Sequence, residues 1–180
     1  GALFSADAAD TLRFTRMTGA VVRNMLRLNK PIVAAVNGTA AGAGTVLALA
    51  CDIRALSSAA SFAFLFTKVG LTGADMGAAW LLPRVVGAGR ASELLLLGEK
   101  IGADECHRIG LANRVVAPER VFDEALALAT RLATGPSLAL AMTKKMLLAE
   151  ATMDLDTAIE QEAQAQALLL RCHDHREFYE

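Results

Sequence analysis

Apolar positions in the first two thirds of the chain fall in short runs separated by glycine or small polar residues. The β-branched run PIVAAV, residues 31–36, stops at an Asn-Gly pair, which predicts a buried strand ended by a turn. The apolar segment 43–50 predicts a buried helix, and the runs 51–56 and 61–66 predict two further strands. Strands and helices are therefore expected to alternate.

The next apolar segment, DMGAAWLL, predicts a helix over 75–82. Asp75 is placed to cap the start of this helix, and Pro83 is expected to end or kink it. The later elements predicted here are helices over 91–97 and 103–109 and a strand over 112–116.

After Pro118 the spacing of apolar residues predicts helices only, over 119–133, 136–149 and 156–172. Alternating elements followed by helices predict an α/β core with parallel strand pairing. We expect this core to occupy residues 1–117 and a C-terminal helical region, used in packing or assembly, to occupy residues 118–180.

Composition limits the partners of the chain. Its 180 residues carry 18 Lys+Arg and 19 Asp+Glu, a formal charge of -1, so neither nucleic acid nor a membrane is an expected partner. A hydrophobic content of 54% and a mean hydropathy of +0.38 predict a homo-oligomer. No apolar run has the length of a membrane span, and the first residues lack the order of a signal peptide.

Cysteine and histidine patterns give no reason to expect a disulfide framework or a metal site. The 3 cysteines lie far apart and form no CxxC pair, so a reducing cytoplasm is the expected location. His173 and His175 are two residues apart, a spacing that puts them on different faces of a helix, so no metal is predicted.

Small residues are concentrated at Gly42, Ala43 and Gly44, just where the helix over 43–50 is predicted to begin. Small side chains leave the backbone N–H groups open, and the first N–H groups of a helix have no intrahelical partners and favour negative charge. A developing oxyanion would be stabilised there. The alternative is that the small residues only let the helix pack closely on a strand.

The flanking residues make this stretch more specific. VAAVNGTAAGAGTVLALACDI, residues 33–53, resembles the signature of the crotonase, or enoyl-CoA hydratase/isomerase, family, and the segments 66–87 and 95–116 resemble its next two blocks. The resemblance implies a crotonase-like α/β fold with a ββα spiral core and C-terminal helices used in oligomerisation. It also implies strands and a helix before residue 1 and a short tail after residue 180.

In that family the carbonyl oxygen of a coenzyme A thioester lies between two backbone N–H groups. The resemblance makes Ala43 one donor, with Gly42 and Gly44 beside the substrate, and such a donor stabilises a transition state by roughly 3 kcal/mol. The second donor comes from a loop that GALFSADAAD resembles at its Phe-Ser-Ala. Ala6 then contacts the substrate and Ala8 is the donor by count, although Asp stands at position 7 where the family has Gly.

Family hydratases use two glutamates to activate water, and Val46 and Phe66 stand in those two positions here. Asp75 stands where relatives place an aspartate, used as a base by dienoyl-CoA isomerases and as a nucleophile by aryl-CoA dehalogenases. The substrate would meet an apolar pocket around Asp75 formed by Val46, Phe64, Phe66 and Trp80. The alternative for Asp75 is a helix cap with no substrate.

The resemblance thus implies an acyl-CoA thioester enzyme of the enoyl-CoA hydratase/isomerase type, with Asp75 moving a proton along the acyl chain. The alternatives are an aryl-CoA dehalogenase or thioester hydrolase with Asp75 as nucleophile, and a non-catalytic acyl-CoA-binding homologue. No metal or redox cofactor is expected, and coenzyme A arrives as part of the substrate. The implied assembly is a trimer or a dimer of trimers. Lys144 and Lys145 could meet coenzyme A phosphates, but an exposed polar face is the preferred interpretation.

Overall fold

Two small sheets lie at the centre of the molecule, for which a computed structural model describes residues 7–177 and 179. The first sheet contains β1 (Val33–Val36), β3 (Ile53–Ser57) and β6 (Arg114–Val116) in the order β1-β3-β6, all parallel. The second contains β2 (Thr39–Ala41), β4 (Ser61–Ala63) and β5 (Lys100–Gly102) in the order β2-β4-β5. There β2 and β4 are parallel and β4 and β5 antiparallel.

Helices surround these sheets. The first five are α1 (Ala8–Arg27), α2 (Ala43–Leu49), α3 (Ala78–Val86), α4 (Ala88–Leu97) and α5 (Ala103–Arg108). The C-terminal helices are α6 (Val121–Ala133), α7 (Ser137–Ala149), α8 (Leu155–Leu169) and α9 (His173–Glu177). The chain passes from β1 of the first sheet to β2 of the second sheet and then into α2. It passes in the same way from β3 to β4, and α3 is the next α-helix. The fold is mixed α/β, as predicted.

One buried cluster joins the sheets to the helices. Val46 of α2, Phe62 of β4, Phe64, Leu82 of α3 and Leu111 each have an exposed fraction of 0%. Helix α6 packs against β1 and β3, so the C-terminal region also touches the first sheet.

Several boundaries differ from the sequence prediction. The strand expected over 61–66 ends at Ala63 because the chain turns at Phe66, whose carbonyl accepts from the N–H groups of Val69 and Leu71. Helix α3 begins at Ala78 rather than Asp75, and it continues past Pro83 to Val86 because proline removes only one helical hydrogen bond. Elements α1, β2, β5 and α9 were not predicted.

Among the described residues, no single helix is long and apolar enough to cross a membrane. The helical stretches 118–133 and 137–152 pass that test of length and composition only when taken together, and they are bent by 108° at the break between them.

Candidate functional site

The sharp turn between β2 and α2 positions the first residues of α2. Gly42 has φ 53° and ψ -121°, a backbone conformation that favours glycine, and its N–H donates to the Ala63 carbonyl of β4 (3.0 Å). The Gly42 carbonyl accepts from the Thr45 N–H (3.1 Å) and the Thr45 hydroxyl (2.5 Å). Strand β4 and buried Thr45 therefore fix where α2 starts.

The N–H groups at this start are open. No group of the described residues accepts a hydrogen bond from the Ala43 or Gly44 N–H. Ala43 is exposed, and a Cβ placed on Gly42 or Gly44 would meet no atom of the described residues within 4 Å beyond its chain neighbours and its own helix backbone. Two donors at a helix start, with free space around them, can bind an anionic or strongly polarised oxygen.

Apart from Thr45, the buried side chains of α2 are apolar, and they pack against apolar residues that follow β4. Val46 and Phe64 have an exposed fraction of 0% and Phe66 of 7%, and all three belong to the buried cluster. The two positions that hydratases fill with glutamates thus hold hydrophobic core residues here. Contact of Val46, Phe64 and Phe66 with a substrate remains a prediction.

Asp75 lies in the turn that precedes α3 and is half-buried. The expectation that it caps this helix is wrong, because Gly77, with φ 91°, precedes the first helical residue Ala78. The Asp75 carboxylate instead accepts from the N–H of the next residue, Met76 (2.9 Å), and its backbone carbonyl accepts from the Ala78 N–H (2.8 Å). One carboxylate oxygen is thereby held while the other has no partner among the described residues.

A groove of about 390 Å³ separates α1 from α3, and we refer to it as the α1–α3 groove. It is lined by Val22, Leu26, Met76, Trp80 and Leu81, with Arg16 and Arg23 on the α1 side. Trp80 is 38% exposed and lies under the Arg84 guanidinium, 3.7 Å from the ring centroid. Trp80 thus belongs to this groove and not to the buried cluster of Val46, Phe64 and Phe66.

The predicted second donor loop is described only from residue 7 onward, and Ala6 lies outside the described residues. Ala8 is exposed and is the first residue of α1. Asp7 caps this helix, because its carboxylate accepts from the Asp10 N–H (2.7 Å). The role of Ala8 as a donor remains a prediction.

The other end of α2 is held by a buried cation, Arg54, that sequence reasoning did not single out. The Arg54 guanidinium of β3 donates to the carbonyls of Leu49 (3.4 Å), Cys51 (2.5 Å) and Leu111 (2.6 Å). Burial lowers the pKa of Arg54 below its usual value. The sequence signal that could have identified Arg54 is an arginine between apolar residues of a predicted strand. A cation buried at such a position needs several hydrogen-bond acceptors.

The position of Lys144 differs from the sequence interpretation, which placed this residue on an exposed polar face. It is 8% exposed, and its ammonium donates to the Asp52 carboxylate (2.8 Å) and to the carbonyls of Met25 (3.1 Å) and Lys30 (3.0 Å). The same Asp52 oxygen accepts from the Ile32 N–H (2.7 Å). Lys144 thus connects α7 to the end of α1, to the entry of β1 and to Asp52.

Among the described residues no group of three His, Cys, Asp or Glu side chains has an arrangement that could hold a metal ion. His173 instead faces Glu177 one turn along α9, at 3.6 Å.

Comparison with known proteins gives consistent matches. The profile of the family described as enoyl-CoA hydratase/isomerase matches residues 7–178. The chain is 42% identical over 162 residues to the 1,2-epoxyphenylacetyl-CoA isomerase of Escherichia coli (strain K12), an alignment that covers 90% of the chain and 62% of that protein. It is 36% identical over 170 residues to the crotonyl-CoA hydratase of Syntrophomonas wolfei subsp. wolfei, covering 94% of the chain and 65% of that protein.

A solved structure of a candidate enoyl-CoA hydratase from Streptomyces coelicolor A3(2) is similar to the whole fold. Its TM-score is 0.97 at 52% sequence identity, and the match covers 99% of this chain and 65% of that one. The chain therefore spans slightly less than two thirds of the length of these relatives.

Proposed function

Because the chain belongs to the enoyl-CoA hydratase/isomerase family, we propose that it acts on an acyl-CoA thioester and moves a proton along the acyl chain. The observation that carries the isomerase proposal is the Asp75 carboxylate. One of its oxygens accepts from the Met76 N–H and the other is unpaired among the described residues, while Val46 and Phe66 leave the two hydratase positions without a carboxylate. Asp75 is then the candidate for proton transfer.

The proposed reaction is an allylic shift with no net change in composition. The Asp75 carboxylate removes a proton from an acyl carbon next to the conjugated system, and the electron pair moves onto the thioester oxygen to form a dienolate. The Ala43 N–H donates to that oxygen, with Ala8 as the candidate for the second donor. The protonated Asp75 then returns the proton to a different carbon as the thioester carbonyl reforms.

The start of α2 supports the oxyanion part of this proposal. A backbone donor that carries no other hydrogen bond does not need to break one when charge develops on the substrate, so its full stabilisation is available in the transition state. The relative named 1,2-epoxyphenylacetyl-CoA isomerase supports isomerisation, and the relative named crotonyl-CoA hydratase keeps hydration as the competing outcome.

The decisive experiment is a panel of enoyl-, dienoyl- and aryl-CoA thioesters with product analysis, repeated with Asp75→Asn. Asparagine keeps an oxygen for the Met76 N–H but cannot act as a base, so turnover should fall by about 10²–10⁴ while thermal stability stays close to wild type. Asp104→Asn, on the exposed first turn of α5, is the matched control and should keep full activity.

The outcomes separate the alternatives. Deuterium exchange from solvent into the acyl chain supports proton transfer, whereas a covalent acyl adduct on Asp75 supports dehalogenation or hydrolysis. Hydrated product that persists in Asp75→Asn would contradict the assignment. Tight binding of acyl-CoA without turnover of any thioester would support a non-catalytic homologue.

We further propose that the chain forms a trimer or a dimer of trimers through its C-terminal helices, with no metal or redox cofactor. Large apolar side chains of this region are exposed in the single chain, among them Phe122 (66%), Leu147 (74%) and Leu155 (72%). Light scattering behind size exclusion measures the assembly, and turnover in the presence of a chelator measures any metal requirement. A monomer would contradict the first proposal, and activity lost to the chelator and restored by a metal would contradict the second.

A further inference from the structure

We propose that Met76 determines which acyl groups the chain accepts, by forming the wall of the α1–α3 groove next to Asp75. This inference rests on the proposed function, since it takes the ligand to be an acyl-CoA thioester and Asp75 to be the group that reacts with it.

The backbone of Met76 is unusual. Among the described residues Met76 is the one non-glycine residue with a positive φ, at 50°, and Gly77 follows with φ 91°. A side chain in this left-handed region brings Cβ close to backbone atoms, which is why glycine usually fills such positions. The chain uses glycine at position 77 but a long side chain at position 76, which indicates that the Met76 side chain has a role that outweighs the strain.

The surroundings of Met76 show what that role can be. Its side chain packs against the buried cluster on one side and lines the α1–α3 groove with Val22, Trp80 and Leu81 on the other. A methionine side chain is flexible and polarisable, so it adapts to irregular apolar shapes. Its N–H donates to the Asp75 carboxylate (2.9 Å), so the groove wall and the candidate base are held together.

The groove has the properties of a site for the acyl part of a thioester. Its volume of about 390 Å³ falls in the range of small-molecule sites, and its lining is mostly apolar. The acyl group would then lie against Met76.

The test measures acyl selectivity in Met76→Ala, Met76→Gly and a matched control, Met146→Ala. Met146 is a half-buried methionine of α7 that lines a different groove, against α8. The ratio of kcat/KM for a dienoyl-CoA thioester with a bulky acyl group to that for crotonyl-CoA should rise about tenfold in Met76→Ala, because the thioether no longer occupies space against the acyl group. Met76→Gly should shift it in the same direction, and Met146→Ala should leave it unchanged.

Thermal unfolding of the same variants separates selectivity from packing. If Met76 only packs the core, Met76→Ala and Met146→Ala would both lose stability while the selectivity ratio stays within about twofold of wild type, and that result overturns the inference. Met76→Gly should be at least as stable as Met76→Ala, since glycine relieves the strain at φ 50°.

Failure of the proposed function would look different. A wild-type protein that neither binds nor turns over any acyl-CoA overturns both proposals, whereas a wild-type protein that is active with unchanged selectivity in the Met76 variants overturns only this one. If Met76→Ala does not fold, Met76→Leu replaces it in the measurement of acyl selectivity. Leucine keeps the volume but is stiffer, and it should narrow the range of accepted acyl groups.

Discussion

The two ends of α2 are built in opposite ways. At its start, the N–H groups of Ala43 and Gly44 have no acceptor among the described residues and face open space. At its last residue, Leu49, and just beyond it at Cys51, the backbone carbonyls accept from the buried Arg54 guanidinium, and Asp52 accepts from Lys144. Both ends of this short helix are held in place, but only the start keeps unused donors, because Gly42 and Thr45 position it without using the Ala43 and Gly44 N–H groups.

This difference indicates how a chain can keep unpaired donors in place. Unpaired N–H groups contribute nothing to folding, so the position of α2 must be set elsewhere. Cations at the C-terminal end of a helix also face its negative dipole end, which favours their placement there. The stability of α2 and its proposed chemistry should therefore depend on different residues.

The largest effect is expected from removing the open donor itself. Ala43→Pro deletes one N–H at the first helical residue, a position where proline fits the backbone, so folding should be nearly unchanged. Turnover of the thioester substrate should fall by about 10²–10³. Steady-state kinetics with thermal unfolding measures both quantities.

Ala43→Leu is the companion variant. It keeps the N–H and adds bulk at the exposed start of α2, so it should weaken substrate binding by blocking access. Full activity in Ala43→Pro would contradict the assignment of this N–H as an oxyanion donor.

The next largest effect is a loss of stability at the C-terminal end of α2, which Arg54 holds in place. Arg54→Met removes the donor from three backbone carbonyls in the interior, and the free energy of unfolding should fall by about 3 kcal/mol. Urea denaturation measures the change, and Arg54→Lys, which keeps the charge but not the fork of donors, should lose less. A change below about 0.5 kcal/mol, the size typical of a surface substitution, would show that this end of α2 is held by other contacts.

Replacing Lys144 is expected to lower the free energy of unfolding by a smaller amount. Lys144→Met removes a donor shared by Asp52 and two carbonyls, and we expect a loss of about 2 kcal/mol, because Asp52 keeps its bond from the Ile32 N–H. Lys145→Met is the matched control, since Lys145 is exposed, and it should change stability by no more than about 0.5 kcal/mol. Equal effects from the two lysines would show that the buried contacts of Lys144 contribute little.

The sequence predicted the open end of α2 better than the fixed end. The small residues 42–44 and the apolar run after them carry a local signal, and helix α2 begins where that signal places it. Lys144 and Asp52 are 92 positions apart, and no local pattern indicates that three acceptors surround one lysine. Asp75 was misplaced as a cap because the left-handed Met76 and Gly77 delay the start of α3.

The elements that were missed contain no continuous apolar run. Helix α1 is amphipathic but buries only Val22, and polar residues separate its apolar positions. Strands β2 and β5 have three residues each and exist because β4 lies between them, a pairing that only the tertiary structure brings about.

The last effect is seen only at high pH and concerns Cys106, which lies near the residues that hold the C-terminal end of α2. Burial raises the pKa of the Cys106 thiol to about 11, and the Cys106 carbonyl accepts from Ala112, next to Leu111, whose carbonyl accepts from Arg54. Below pH 9 the thiol is protonated in both folded and unfolded chains, so its contribution is constant. Between pH 9 and about 11 only the unfolded chain ionises freely, so stability should fall as pH rises.

Urea titrations across this pH range, compared with Cys106→Ala, isolate the contribution of the thiol. The variant should lose the part of the pH dependence due to Cys106, while any remaining slope reports other groups. If wild type and variant show the same slope, water reaches the Cys106 thiol more readily than its 0% exposed fraction implies. The segment around Cys106 and Leu111 then opens more readily than the rest of the core.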